Sequence, residues 1–143
     1  METWDLTTLD VRPHQPVVLQ SDEGAARVVA LALPAGEELQ DHEVHEHAWL
    51  HVHRGAVEVV ARADEQRRVG AGGLVHWRPG ERHAVRAVED ALLVLLLAPW
   101  PGPGHPSLRG ADPGIPVGQA EPEAVRRPPG APATTPLDPP SAG

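Results

Sequence analysis

Apolar residues between positions 16 and 100 recur in short runs of strand length. Each run is bounded by Gly, Pro, Asp or Glu, which favour turns and loops. The seven runs span residues 17–20, 26–33, 48–53, 56–62, 74–77, 83–88 and 92–98. No stretch shows the 3.6-residue apolar stripe of an amphipathic helix. The pattern therefore predicts an all-β sandwich or barrel.

Strand alternation divides the run at 48–53 into two different faces. Small aliphatic residues alternate there with Trp49, His51 and His53. We expect the aliphatic side chains to face the barrel interior and the other three to lie on an outer packing or subunit surface. Gly55 follows in a tight hairpin turn, where glycine supplies the positive φ.

The segment after Trp100 has a different composition from the rest of the chain. It contains twelve of the seventeen prolines and seven of the fourteen glycines, with few apolar residues. Such a segment buries too little apolar surface to offset the entropy of ordering it. The sequence therefore predicts an N-terminal arm (1–15), a β-barrel (16–100) and a disordered Pro/Gly-rich tail (101–143), of which residues 101–108 can pack back on the barrel.

Composition excludes several classes of function. A net charge of −8, with no cluster among the twelve arginines, argues against a nucleic-acid partner. Without cysteine, a transition metal would have to be held by His and carboxylates. The start of the chain has no basic patch followed by an apolar run, and the longest apolar stretch is far below the ~20 residues that span a bilayer. We expect a soluble, cytoplasmic protein with no membrane partner.

Histidine is concentrated in the middle of the chain. Seven of the nine histidines lie between His42 and His83, and imidazole is the commonest protein metal ligand. His42, His45 and His47 precede a predicted strand, where a loop or bulge can direct side chains irregularly. His83 opens a later strand, and residues from two strands can meet in the mouth of a closed sheet. The pattern predicts a His-based metal site.

The spacing of glycine and histidine resembles the two signature motifs of the cupin superfamily, small β-barrels that commonly hold one divalent metal. The matching positions are Gly36, His42 and Gly55 in the first motif and Gly72, Gly80 and His83 in the second. The resemblance covers about residues 33–100. It implies a small single-domain bacterial cupin with degenerate motifs, folded as a double-stranded β-helix or RmlC-like jelly roll.

Four positions depart from these motifs. Val44 replaces the second His, Ala48 the Glu, Arg78 the Pro and Ala87 the Asn. At the aligned motif positions, two of the four metal ligands that are usual in the family are therefore absent.

The resemblance implies His42 and His83 as ligands. It also implies His45 or His47 as the third, because a one-residue bulge would bring either into the site. Glu46 is a further candidate oxygen ligand, although a carboxylate just before a strand is more often solvated.

Three His ligands would leave coordination positions open on Zn, Fe, Mn, Ni or Cu, and ligand type alone does not select among these metals. Three functions stay open at this point. The first is a cupin that binds a metal or small ligand, favoured because no general base accompanies the histidines. The second is a metal-dependent enzyme, such as an oxygenase or isomerase acting on a small polar metabolite. The third is a metal-free barrel that dimerises through the face bearing Trp49, His51 and His53. The resemblance also implies a homodimer.

Overall fold

The computed structural model describes residues 1–62, 65–109 and 125–126 of the chain. The strands in these residues are β1 (Val17–Ser21), β2 (Arg27–Leu33), β3 (Glu38–Glu43), β4 (His47–Arg54), β5 (Ala56–Arg62), β6 (Glu65–Gly70), β7 (Leu74–Trp77), β8 (Arg82–Ala87), β9 (Ala91–Ala98) and β10 (Val125–Arg126). A 3-10 turn, Pro106–Arg109, is the only helical element in the described part of the chain.

The strands form two five-stranded sheets. The first sheet has the order β1-β2-β9-β4-β7 and the second the order β10-β3-β8-β5-β6. Every neighbouring pair within the sheets is antiparallel. The buried apolar cluster takes side chains from both sheets, so the core lies between them. This is the predicted all-β barrel.

Strand β4 shows why this sequence folds with that core. Its exposure alternates from His47 to His53, with the aliphatic positions buried and the His and Trp positions partly exposed. Trp49, His51 and His53 therefore lie on the outer face, as predicted. The turn after β4 also agrees, because Gly55 has φ 80° and a Cβ there would lie 2.2 Å from the carbonyl oxygen of Asp90.

All seven predicted strands are present, and β3, β6 and β10 are additional. Strand β3 carries one apolar residue, Leu39, and all but one residue of β6 is exposed. Neither has the apolar pattern on which the prediction rests. Both are held by backbone pairing, β3 against β8 and β6 against β5.

The packed part of the chain continues beyond the predicted boundary at residue 100. Gly102 and His105 are buried, so residues 100–107, named the strap here, belong to the folded unit. Most of the predicted disordered tail lies outside the described residues, and Val125–Arg126 pairs with β3. In the described part, no helix is long and apolar enough to cross a membrane.

Candidate functional site

The predicted ligands map to one end of the barrel, where β3 and β7 end and β4 and β8 begin. The backbone N–H of Gly80, in the β7–β8 turn, donates to the carbonyl of Val44, in the β3–β4 loop, at 2.8 Å. In the β3–β8 ladder, His42 is paired directly with His83. We call this the His83 end of the barrel. The side chain of His42 lies outside the described ones.

His83 has a defined protonation pattern. The side chain is 3% exposed, and its Nδ1 lies 3.1 Å from the carbonyl oxygen of Glu81. Because a carbonyl only accepts hydrogen bonds, Nδ1 is the donor in this contact, and in a neutral ring the lone pair would then lie on Nε2. Metal-binding histidines commonly have this arrangement, in which the second nitrogen is held by a backbone carbonyl.

An aromatic side chain covers the face of that imidazole. The rings of Trp77 and His83 stack with centroids 3.7 Å apart and planes 7° apart. Trp77 is 2% exposed, whereas His76, the preceding residue, is exposed on the opposite face of β7. The alternation in β7 therefore places the Trp inside and the His outside.

The two positions that depart from the ligand pattern are part of the apolar core. Val44 is 1% exposed and Ala48 is fully buried. Neither carries a donor atom for a metal. Apolar side chains that pack in the core thus stand at two positions where the family pattern has polar metal ligands.

The structure does not bring His45 or His47 to His83. His47 lies on the outer face of β4, where its Nδ1 is 2.9 Å from Nε2 of His76. His45 instead packs against His105, with ring centroids 5.8 Å apart. The register of β3 does contain a bulge, but it falls before His42. The assignment of His45 or His47 as a third ligand stays a prediction, and the contacts described for these two rings are with His105 and His76.

A three-histidine metal centre does not fit the donors that the structure describes. Among the described residues, no three His, Asp or Glu side chains are placed to share a metal ion. Of the expected ligands, His42 and His83 lie directly opposite each other in the β3–β8 ladder.

Glu46 is buried, contrary to the expectation that it is solvated. The carboxylate is fully inaccessible, and Oε2 accepts a hydrogen bond of 2.7 Å from the backbone N–H of Gly102 in the strap. Its other oxygen, Oε1, has no hydrogen-bond partner among the described residues. An unpaired buried carboxylate oxygen is unusual in a folded protein.

His105 is another buried polar residue, and it lies in the segment that was predicted to be a disordered tail. It is 4% exposed and lies edge-on to Trp100, with centroids 4.7 Å apart. Burial lowers the pKa of His105, the charges of His45 and Arg27 lower it further, and Glu46 opposes them. Gly102 and Gly104, which both precede His105, are residues that permit a close backbone approach.

A cleft of about 280 Å³ opens between β6 and β7, the edge strands of the two sheets. It is lined by Val59, Ala61, Glu65, Arg67, Val69, Leu74, Val75, His76, Trp77 and Glu81. Trp77 stacks on His83 and the carbonyl of Glu81 bonds to it, so the cleft adjoins that imidazole.

The outer face of β4 carries a separate aromatic cluster. Trp49 lies beside His47 and His76, with ring centroids 5.7 Å and 5.0 Å away. His51 and His53 continue along the same face. The homodimer expected through this face stays a prediction.

Comparison with known proteins agrees with this architecture. The family model described as "Cupin domain" matches residues 29–99. No curated protein matches the chain.

Among solved structures, an uncharacterized protein with a double-stranded β-helix domain from Klebsiella pneumoniae is 22% identical. Its TM-score is 0.61, over 72% of this chain and 92% of that one. An RmlC-like cupin from Methanocaldococcus jannaschii is 16% identical, with a TM-score of 0.57 over 65% of this chain and 88% of that one. A cupin superfamily protein from Desulfitobacterium hafniense is 10% identical, with a TM-score of 0.56 over 64% and 84%. The chain belongs to the cupin superfamily and has its double-stranded β-helix fold.

Proposed function

We propose that this cupin binds a small organic molecule in the cleft between β6 and β7, without the family's three-histidine metal centre. The cleft itself carries this proposal. Ligand sites are typically concave, mostly apolar and equipped with a few polar groups, and they are often found in the mouths of β-barrels.

The lining favours a ligand with an apolar body and one polar or charged group. Val59, Val69 and Val75 supply apolar surface, and Arg67 and Glu65 form an ion pair of 3.1 Å at the rim. Both of these charged side chains are largely exposed, so the ion pair contributes little stability and either partner can pair with a ligand instead.

The volume limits the size of the ligand. Pockets for drug-sized molecules typically measure ~300–1,000 Å³, so a cleft of about 280 Å³ suits a smaller metabolite.

The test is an NMR screen of the full chain against a library of small carboxylates, amines and sugars. We expect at least one compound to shift the methyl signals of Val59, Val69 and Val75. Ala61→Leu should fill the cleft and weaken that binding at least tenfold. Ala84→Leu is the matched control, because Ala84 is a partly exposed alanine on β8 and does not line the cleft. Binding that survives Ala61→Leu, or a library that shifts none of the three methyls, refutes the proposal.

We propose a two-histidine site for a divalent metal as the second candidate function. The register pairing of His42 with His83 supports it, as does the Nδ1–H of His83 held by a carbonyl. Two imidazoles would hold Zn²⁺ or a similar ion more weakly than a full cupin ligand set, with water in the other positions.

Titration with ZnCl₂, followed by calorimetry on untagged protein, tests this second function. His83→Gln should abolish a stoichiometric binding event, whereas His51→Gln, on the outer face of β4, should leave it unchanged. Equal binding by wild type and His83→Gln would assign the metal to the surface histidines.

A further inference from the structure

The outer faces of the two sheets differ in their polar groups. On the second sheet, Arg86 of β8 lies opposite Glu58 of β5, and their charged groups are 4.0 Å apart. On the first sheet, the partly exposed residues of β4 and β9 are His47, Trp49, His51, His53, Val94, Leu96 and Ala98. Imidazole is the only side-chain group in this set that can bind a metal ion.

Two imidazoles contact each other across neighbouring strands of this face. Trp49 of β4 lies directly opposite His76 of β7, so His47, two residues earlier on the same face, is the diagonal neighbour of His76. Nδ1 of His47 is 2.9 Å from Nε2 of His76. The ring planes are 8° apart and the centroids 5.1 Å apart, so the rings meet edge to edge through these two nitrogens.

The neighbours of the pair hold the rings without competing for their nitrogens. Ala98 and Leu96 of β9 lie opposite His47 and Trp49, and neither has a polar side chain. Trp49 packs beside both imidazoles, with its ring centroid 5.0 Å from that of His76 and 5.7 Å from that of His47. Ligand side chains that are already held by packing lose less freedom when they bind an ion.

The pair can present two lone pairs at the contact without changing its charge. When two neutral imidazoles share a hydrogen bond, one of the facing nitrogens carries the proton and the other carries a lone pair. If the donor ring moves that proton to its other nitrogen, both facing nitrogens carry lone pairs. A neutral imidazole nitrogen is the form that binds a transition metal.

The distance between the two nitrogens indicates the type of ion. With metal–nitrogen bonds of about 2.0–2.1 Å, two ligands at a right angle stand about 2.9 Å apart, and two at a tetrahedral angle about 3.3 Å apart. The observed 2.9 Å matches neighbouring positions of a square-planar or tetragonal shell, the geometry of Cu²⁺ and Ni²⁺. The rings must tilt to direct both lone pairs at one ion, and His76 is exposed and has room to do so. Of these two ions, Cu²⁺ binds more tightly.

We propose that His47 and His76 form a two-imidazole copper site on the outer face of the barrel, with water in the other positions of the shell. The site is separate from the pair His42 and His83, because alternation in β7 directs Trp77 inward against His83 and His76 outward. The proposal holds whether or not the cleft binds a small molecule.

Titration of the untagged full chain with CuCl₂, followed by calorimetry and NMR, tests the proposal. Cu²⁺ is paramagnetic, so an equivalent bound at this site should broaden the indole signals of Trp49 more strongly than those of Trp77. His76→Gln should weaken this binding at least tenfold, because the loss of even an indirect partner of a metal ligand commonly costs that much. His47→Gln should have the same effect.

Two matched variants separate this site from the other histidines. His53→Gln changes another partly exposed imidazole of β4, and it should leave both the affinity and the broadening at Trp49 unchanged. His83→Gln removes the buried imidazole of the second candidate function, and it should also leave the broadening at Trp49 unchanged.

Three results would overturn the proposal. The first is no binding of Cu²⁺, or an affinity that His76→Gln does not change. The second is loss of the broadening at Trp49 in His53→Gln, which would assign the ion to the other end of this face. The third is its loss in His83→Gln, which would assign the ion to the barrel interior. If His47→Gln does not fold, His76→Gln decides, because His76 is exposed and lies outside the buried core.

Discussion

Replacing Trp77 with alanine tests the packing on which the candidate site depends. The side chain is 2% exposed and stacks on His83 at 3.7 Å, so the substitution removes a buried indole and leaves a cavity beside the cleft. Substitutions of this kind cost about 3–5 kcal/mol. For a folded unit of this size, that corresponds to a fall in melting temperature of roughly 12–40 °C.

Urea unfolding followed by far-UV circular dichroism gives the free energy without relying on tryptophan emission. Trp4→Ala is the matched control, because Trp4 is 41% exposed and its loss should change stability by no more than about 0.5 kcal/mol. The ring protons of His83 should also move downfield in Trp77→Ala, since the stacked indole no longer shields them. A cost below about 1 kcal/mol, or one equal to that of Trp4→Ala, would refute the buried stack.

Three further predictions concern the strap and the N-terminal segment. The free energy of unfolding should fall as pH drops below 6.5, because the unfolded chain binds a proton that folded His105 excludes. Denaturation at pH 7.5 and at pH 5.5 measures the change in stability, and a higher stability at pH 5.5 contradicts the prediction. Gly102→Ala should abolish exchange protection of the strap while the barrel stays folded, whereas Gly70→Ala, where a Cβ meets nothing within 4 Å, should preserve it. Thr7→Val removes a hydrogen bond to Asp5, so NMR should show the lowered pKa of that carboxyl rising toward 3.8; an unchanged pKa would exclude the bond as its cause.

Short apolar runs bounded by turn-forming residues were sufficient to predict most of the strands that build the core. Strand β6 could not be found in this way, because all but one of its residues are exposed and its order comes from pairing with β5 across the hairpin. Strand β3 has the same difficulty, since Leu39 is its one apolar residue. Strands of this kind are ordered by backbone hydrogen bonds to a neighbouring strand, and a local sequence pattern does not reveal which strand that is.

The site was predictable only where a local turn determines it. His83 follows the turn at Gly80, and its place inside the barrel agrees with the prediction. Strand β4 begins at His47, one residue earlier than predicted, and alternation then places His47 with Trp49 on the outer face.

The burial of Glu46 arises from a contact across 56 positions of the chain, with Gly102. No local pattern around Glu46 contains that information. The possibility that residues 101–108 pack back on the barrel was open from the sequence, but nothing in it named Glu46 as the partner of Gly102. Long-range contacts of this kind leave no signature in the local sequence.

The position of the strap sets a limit on how the protein can be shortened or fused. A chain cut after Ala98 would retain every strand of the first sheet, yet it would lack the amide that binds Glu46 and the indole that covers Arg27. Such a truncated barrel would present a bare carboxylate and an uncovered cation at one rim. Affinity tags and fusion partners therefore belong beyond Ser107.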